Sequence, residues 1–259
     1  MTTGAGPGAE FIFDSVTLDL GGRTILENIS FKVRPGEFVC VVGASGGGKT
    51  TALRLAAGLY TPSSGTVLLN GVRLQRPRRD LAVVFQDYGK ALLPWRTAYG
   101  NVALALEAMG IASSLREERI EKLLTTVGLP NQAEKYPSQM SGGMQQRLQI
   151  ARCLAQSPKA LLMDEPFGAL DAMTRQELQD EVLSLVRESG ATVVFVTHDL
   201  EEAIYLGDRV IGLLPHPGRI GIDVPISLPR PRDQLATRES HEFLRLRREL
   251  FDFIKASEK

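Results

Sequence analysis

Gly43-Ala44-Ser45-Gly46-Gly47-Gly48-Lys49-Thr50 has glycine at its first and sixth positions, followed directly by Lys-Thr. That is the full G-x-x-x-x-G-K-[ST] spacing of a phosphate-binding loop. Each residue type has a physical reason. Glycines let backbone N–H groups turn toward the β- and γ-phosphates. A helix starting near Lys49 points its positive dipole end at the same oxygens. Lys49 adds a full charge there. Thr50 offers a hydroxyl to Mg²⁺, and Thr51 can reach the α-phosphate. The flanks supply the context that a merely flexible Gly-rich turn would not need. Phe38–Val42 is a continuous apolar run, read as a strand buried on both faces, and Lys49–Ala57 has helical spacing. Residues Gly43 to Thr51 are therefore expected to bind a nucleotide.

Further along, Ala160-Leu161-Leu162-Met163-Asp164-Glu165 is an apolar strand ending in two carboxylates. Such a strand can lie beside the phosphate loop at the carboxyl edge of a sheet, where ligands bind. Asp164 is expected to hold Mg²⁺ through water, and Glu165 to activate or orient the attacking water. The plain alternative is a polar strand end capped by carboxylates; the loop upstream makes it the weaker one.

Around these two elements the chain alternates strands and helices, which implies a mainly parallel sheet with helices on its faces. Strand signals stand at Thr66–Leu69, Leu81–Phe85 and Thr192–Thr197, with an amphipathic helix near Arg175–Glu188. Phe11–Val33 alternates about a Gly21-Gly22 turn, as antiparallel strands do. From about Leu92 to Ala155 strand signals vanish, and Asn101–Met109 and Leu115–Val127 have helical spacing. The expected fold is α/β: one domain over 1–259, with a P-loop NTPase core and antiparallel β subdomain from 11–91 and 156–215. An inserted α-helical subdomain is expected at 92–155, and a C-terminal extension at 216–259. Leu214–Pro231, rich in Pro and Gly, is expected to be irregular. Glu239–Ile254 reads as a basic amphipathic helix docked on the body through Phe243, Leu246, Leu250 and Phe253.

Composition narrows the setting. Lys+Arg and Asp+Glu both count 30 in 259 residues, so the chain lacks the bulk basic footprint usual for nucleic-acid binding. Its two cysteines, Cys40 and Cys153, sit in apolar stretches and fit buried thiols in a reducing, cytosolic compartment. No apolar run reaches bilayer length, so action at a membrane would need a partner. Met1–Ala9 has no signal-peptide pattern and reads as a frayed tail.

Ser141-Gly142-Gly143-Met144-Gln145-Gln146 precedes an amphipathic helix running to about Gln156. Ser141 can cap that helix, and the glycines leave N–H groups open to an anion. With this element the order is complete: phosphate loop, Gln86 after an apolar strand, Ser-Gly-Gly-x-Gln, Asp164-Glu165, Gly168-Ala169-Leu170-Asp171, and His198 after another strand. Over roughly Phe11 to Pro215 the chain resembles the ABC ATPases. The resemblance implies that Gln86 touches Mg²⁺ and the water, and senses a permease. It implies that Ser141, Gly142 and Gly143 contact the γ-phosphate bound by a second copy, that Asp171 lies at the dimer seam, and that His198 contacts the γ-phosphate. It also implies ATP and Mg²⁺ as cofactors and a head-to-tail homodimer beneath integral-membrane permease subunits. A substrate-binding protein would act indirectly, and the location would be peripheral, on the cytoplasmic face of the inner membrane. The family usually places an aromatic residue before the phosphate loop to stack on adenine; here Leu20 stands in that place.

Leu92-Leu93-Pro94-Trp95, then Asn101-Val102, is similar to importers of the nitrate, aliphatic sulfonate, taurine and bicarbonate group, as are Glu165-Pro166-Phe167-Gly168 and Leu228-Pro229-Arg230-Pro231-Arg232. Trp95 fits either a permease groove or internal packing. Importers of thiamine pyrimidine precursors and ABC exporters are the nearest alternatives. DNA-repair ABC ATPases need long coiled-coil insertions that are not seen. Translation-type ABC factors carry tandem cassettes, whereas one is present here. A P-loop kinase would lack the Ser-Gly-Gly element.

Overall fold

The structure is a computed structural model and describes residues 8–257. Strands β1 (Phe11–Leu20) and β2 (Arg23–Val33) form an antiparallel hairpin over Gly21-Gly22. β3 (Phe38–Gly43) is buried at every position, and α1 (Lys49–Ala56) follows it. β4 (Ser64–Leu69) and β5 (Val72–Arg73) complete a four-stranded sheet of order β2-β1-β4-β5. After β6 (Leu81–Val84) come α2 (Tyr88–Ala91), α3 (Ala98–Ala108), α4 (Arg116–Thr126) and α5 (Gly142–Ala155), with no strand among them. The chain then returns through β7 (Ala160–Asp164), α6 (Ala172–Ser189), β8 (Thr192–Val196), α7 (Leu200–Leu206), β9 (Arg209–Leu214) and β10 (Arg219–Pro225). It ends in α8 (Ala236–Glu239) and α9 (His241–Ser257).

The second sheet has order β10-β9-β3-β8-β7-β6, parallel except at β10. Side chains alternate faces along its central strand. Val39 and Val41 join a core with α1 and the four-stranded sheet, whereas Phe38, Cys40 and Val42 join a core with the helices after β6 and with α6, α7 and α9. Two such cores need a strand that is apolar on both faces, which is what the run Phe38–Val42 supplies. Cys40 and Cys153 are both buried, and burial raises both thiols, Cys153 to about 11.

Two local readings change, and a third, left open by the sequence, is decided. Leu214–Pro231 is not irregular throughout: β10 pairs with β9 in a hairpin turning at residues 215–218. Its alternation of Ile220, Ile222 and Val224 is hidden by the density of Pro and Gly. Gly212 and Gly221 are required there, because a Cβ on either would collide with the Phe253 ring. That contact seats α9, whose Phe243, Leu246 and Leu250 are buried as the stripe predicts. Second, most of the expected N-terminal tail lies outside the described residues. Ala9 itself is buried, donating to Lys159 O (3.1 Å) and accepting from Thr192 Oγ1 (2.6 Å). Third, Trp95 is 71% exposed and is not packed inside the helical insertion.

Candidate active site

The loop after β3 turns through left-handed conformations at Gly46 (φ +79°) and Gly48 (φ +83°), where a side chain would be strained. Lys49 folds back over it, its Nζ donating to Gly43 O (2.8 Å) and Ala44 O (3.0 Å). Burial lowers the lysine's pKa, with the Glu165 and Asp164 carboxylates acting in the opposite direction. Thr50 Oγ1 donates to Asp164 Oδ1 at 3.0 Å. Asp164, the last residue of β7, is 4% exposed, and burial raises its carboxyl against the Thr50 hydrogen bond.

Glu165 has φ +47°, uncommon for a residue with a Cβ. The bend takes it out of the strand direction, and its backbone is held there. Glu165 N donates to Val196 O (2.9 Å), and its carbonyl accepts from Gly168 N (3.3 Å) and Gln146 Nε2 (3.4 Å). On its carboxylate, Oε2 accepts from Gln86 Nε2 at 3.0 Å, and Oε1 lies 3.2 Å from His198 Nδ1. Two residues far apart in sequence thus meet on one carboxylate. The sheet explains it: the phosphate loop follows β3, His198 follows β8, Asp164 ends β7 with Glu165 next, and Gln86 follows β6. The order β3-β8-β7-β6 sets their carboxyl ends side by side. A cavity of about 70 Å³ has Glu165, Arg175, His198 and Glu202 in its wall.

The remaining expected residues lie apart. Ser141 caps α5, accepting from Met144 N (3.3 Å), with Gly142 and Gly143 in its first turn. No hydrogen bond or ion pair among the described residues joins them to the 43–51 loop. Asp171 caps α6, accepting from Thr174 N (3.1 Å). Leu20 ends β1 and is 40% exposed.

Sequence reasoning gave no role to Gln146, Arg175 and Glu202. Gln146, 1% exposed, also accepts from Ala169 N (3.3 Å), so it ties the Ser141 helix to the Glu165 bend. Arg175 donates to Leu170 O (2.9 Å) and pairs with Asp199 (3.9 Å), bridging the segments that carry Asp171 and His198. Glu202 is 5% exposed on a helix too short to show a period. Gln146 and Glu202 are buried and Arg175 is half-buried, and none of the three stands at a motif position that marks it in the sequence.

Burial pushes the Glu202 carboxyl up to about 6, Asp199 adding to the effect while hydrogen bonds from Thr197 and Gln179 oppose it. The sign follows from linkage. A raised pKa means the folded chain holds this proton more tightly than the unfolded one. That stabilisation is full below 4.5, the ordinary value, and is lost as pH rises through about 6. Denaturant melts are expected to show Glu202→Gln gaining on the parent by up to about 2 kcal/mol between pH 4.5 and 7. A pH-independent difference would remove the assignment.

A family model described as ABC transporter matches residues 26–168, more than half of the chain. The chain belongs to the ABC transporter family. It is an ATP-binding cassette that hydrolyses ATP to drive transport. The chain is 47% identical over 239 residues to the nitrate import ATP-binding protein NrtC of Synechococcus elongatus, covering 91% of this chain and 36% of that protein. It is 44% identical over 237 residues to the bicarbonate transport ATP-binding protein CmpD of the same organism, covering 90% of this chain and 84% of that one. A dimeric, post-hydrolysis structure of the ATP-binding cassette MJ0796 bound to ADP and Pi superposes with TM-score 0.74 at 31% identity. That match covers 83% of this chain and 98% of that one. The α/β expectation with a P-loop core is that of these cassettes. Among the described residues no helix is long and apolar enough to cross a membrane.

Proposed function

We propose that this cassette powers an importer of small anions such as nitrate, bicarbonate, taurine or an aliphatic sulfonate, working as a homodimer on the cytoplasmic face of the membrane. The observation that supports its chemistry best is the convergence of Gln86 and His198 on Glu165, beside Lys49, Thr50 and Asp164. Glu165 orients the attacking water, His198 meets the γ-phosphate, and residues Gly43 to Thr51 hold the phosphates through N–H groups and Lys49. The buried oxygen pair of Thr50 and Asp164, whose carboxyl is raised by burial, suits a hard dication. Thr50, Asp164 and the Gln86 amide oxygen would hold Mg²⁺, which when bound neutralises phosphate charge.

Ser141, Gly142 and Gly143 offer a free helix N-terminus away from their own chain's loop. In a head-to-tail pair each set faces the ATP held by the other copy. ATP then binds the closed pair better than the open one, and hydrolysis reverses that preference. The dimeric form of the MJ0796 cassette supports this reading.

The permease side is supported by the Leu92–Thr97 loop. Asn101, fully buried, accepts from Leu93 N (2.9 Å) and donates to the carbonyls of Leu93 (3.1 Å), Arg96 (3.0 Å) and Thr97 (3.0 Å). One side chain thereby fixes a loop that thrusts Trp95 into water. Leu59 and Phe85, exposed in the wall of a groove of about 270 Å³, add apolar surface. A permease's coupling segment is the occupant, with Trp95 as the anchor. Trp95→Ala is expected to weaken recovery of the permease by about 30-fold, the scale of a 2 kcal/mol anchor, without lowering the melting temperature. Permease recovery equal to the parent's would place the dock elsewhere. The same logic applies to the base: Leu20→Tyr is expected to bind ATP about 2–10-fold more tightly than the parent, the worth of an aromatic stack. Equal ATP affinity in parent and variant would count against adenine contact at Leu20.

The experiment for the whole reading is affinity purification of this chain from detergent-solubilised membranes, followed by mass spectrometry. A stoichiometric multi-spanning permease is expected. Recovery from the soluble fraction alone, with no membrane partner, would overturn it. Uptake of labelled nitrate, bicarbonate, taurine and sulfonate by cells lacking the chain would then separate the anions.

A further inference from the structure

The Leu228-Pro229-Arg230-Pro231-Arg232 segment has no part in the site above, yet it ends on the helix that follows His198. That helix, α7, has only seven residues and cannot hold itself by its own hydrogen bonds. Its last carbonyls need partners. Gly207 N takes Ala203 O, which leaves Ile204, Tyr205 and Leu206. Arg232 donates to the carbonyls of Ile204 (3.2 Å) and Tyr205, and Arg230 to that of Leu206 (3.1 Å) and to Asp208 Oδ1 (2.7 Å). Two guanidiniums thus cap the helix's negative dipole end.

The N-terminal end of α7 is held from the same extension. Arg238 on α8 donates to Glu201 Oε2 (3.1 Å) and to Gln179 Oε1 (3.4 Å), with its guanidinium 5.0 Å from the Tyr205 ring centre. Gln179 Nε2 in turn donates to Glu202 Oε1 (3.0 Å). Glu202 Oε2 accepts from Thr197 Oγ1 (2.5 Å), and that hydroxyl accepts from Asp199 N (3.0 Å). The path Arg238–Gln179–Glu202–Thr197 therefore stops at the residue before His198, and Asp199 closes the loop on its other side. A buried carboxylate costs more here than an apolar side chain would. Its two hydrogen bonds fix the His198 loop in return. Among the described hydrogen bonds and ion pairs, none joins Arg230, Arg232, Arg238, Gln179 or Glu202 to residues 43–51.

We propose that the C-terminal extension is a clamp for the His198 loop: Arg230, Arg232 and Arg238 hold α7, and Gln179 and Glu202 pass that hold to Thr197, so that the extension sets the rate of hydrolysis and not the affinity for ATP. These are positioning residues, and the inference rests on His198 acting at the γ-phosphate.

The test uses the full chain carrying Arg238→Met, which keeps an aliphatic side chain over Tyr205 but removes the charge and all three side-chain hydrogen bonds, to Glu201, Gln179 and Gln234 Oε1 (3.2 Å). Steady-state ATP hydrolysis is measured with the imidazole resonances by NMR. The chain has three histidines, His198, His216 and His241, so each signal is assigned by substitution. The expected result is a kcat lowered by about 10–100-fold, the cost of displacing a reacting group from a distance, with KM for ATP unchanged. The His198 signal moves and that of His216 does not. Arg245→Met is the control, since among the described residues Arg245 bonds only to Glu242 and Glu249 on its own helix. Should the Arg238 variant not fold, Glu202→Gln, which keeps the buried volume, takes its place with the same expectation. A kcat within about twofold of the parent overturns the clamp. So does a lowered kcat with the His198 signal unmoved. His198→Ala hydrolysing at the parent rate would instead overturn the role given to His198, whatever the Arg238 variant does.

Discussion

Replacing Glu165 by glutamine is expected to lower ATP turnover by about 10²–10⁴-fold, the range for losing a positioned acid–base group, while ATP stays bound. Glutamine has the shape of glutamate, so the left-handed bend at this position keeps its strain and its backbone bonds. What changes is the set of partners. In the parent one carboxylate oxygen accepts from Gln86, and the other lies 3.2 Å from His198 Nδ1. The amide is neutral and offers one acceptor and one donor, so the negative charge facing Gln86 and His198 is lost. On the proposed reading, the attacking water loses the anion that orients it. Lys49, Thr50 and the loop N–H groups are untouched, so the variant should accumulate the proposed ATP-bound pair. Single-turnover kinetics, with size-exclusion chromatography in ATP and Mg²⁺, reads both halves. Hydrolysis near the parent rate would take the role of water orienter away from Glu165.

How much of this was legible in the sequence depends on where each residue gets its constraint. The phosphate loop and the Asp164-Glu165 pair are written locally, because a strand, a turn and a helix are consecutive and each residue type answers one need. Gln86 and His198 have no local signature, being single polar residues after strands. Their order along the chain picks them out, and the parallel sheet explains why order suffices, since each strand's carboxyl end lies beside the next. Trp95 could not be decided from sequence: an indole among leucines suits a core or a dock, and the choice falls to Asn101, whose four hydrogen bonds to the loop backbone no spacing rule reveals. β10 was missed because Pro217, Gly218, Gly221 and Pro225 read as breakers, although two of them make the turn, one makes room for Phe253, and one ends an edge strand. Glu202 and Gln146 were missed because their partners come from other elements.

Lys49→Ala separates binding from chemistry in the other direction. In the free chain the ammonium is held by two carbonyls of its own loop, where burial disfavours its charge and the two acidic residues favour it. ATP would replace carbonyl dipoles with phosphate oxygens, and that exchange is the gain the alanine variant forgoes. Hydrogen bonds to charged groups contribute about 1.5–3 kcal/mol, so nucleotide affinity is expected to fall by at least about 10–100-fold. The two carbonyls lose their cation as well, and a small loss of folded stability should accompany the loss of binding. Equilibrium binding of ATP with and without Mg²⁺ checks it. Turnover is expected to fall in both variants, but only Glu165→Gln should form the closed pair. A Lys49→Ala chain that binds ATP as tightly as the parent would mean that the loop's N–H groups alone hold the phosphates, and that the lysine acts only as phosphate charge shifts during hydrolysis.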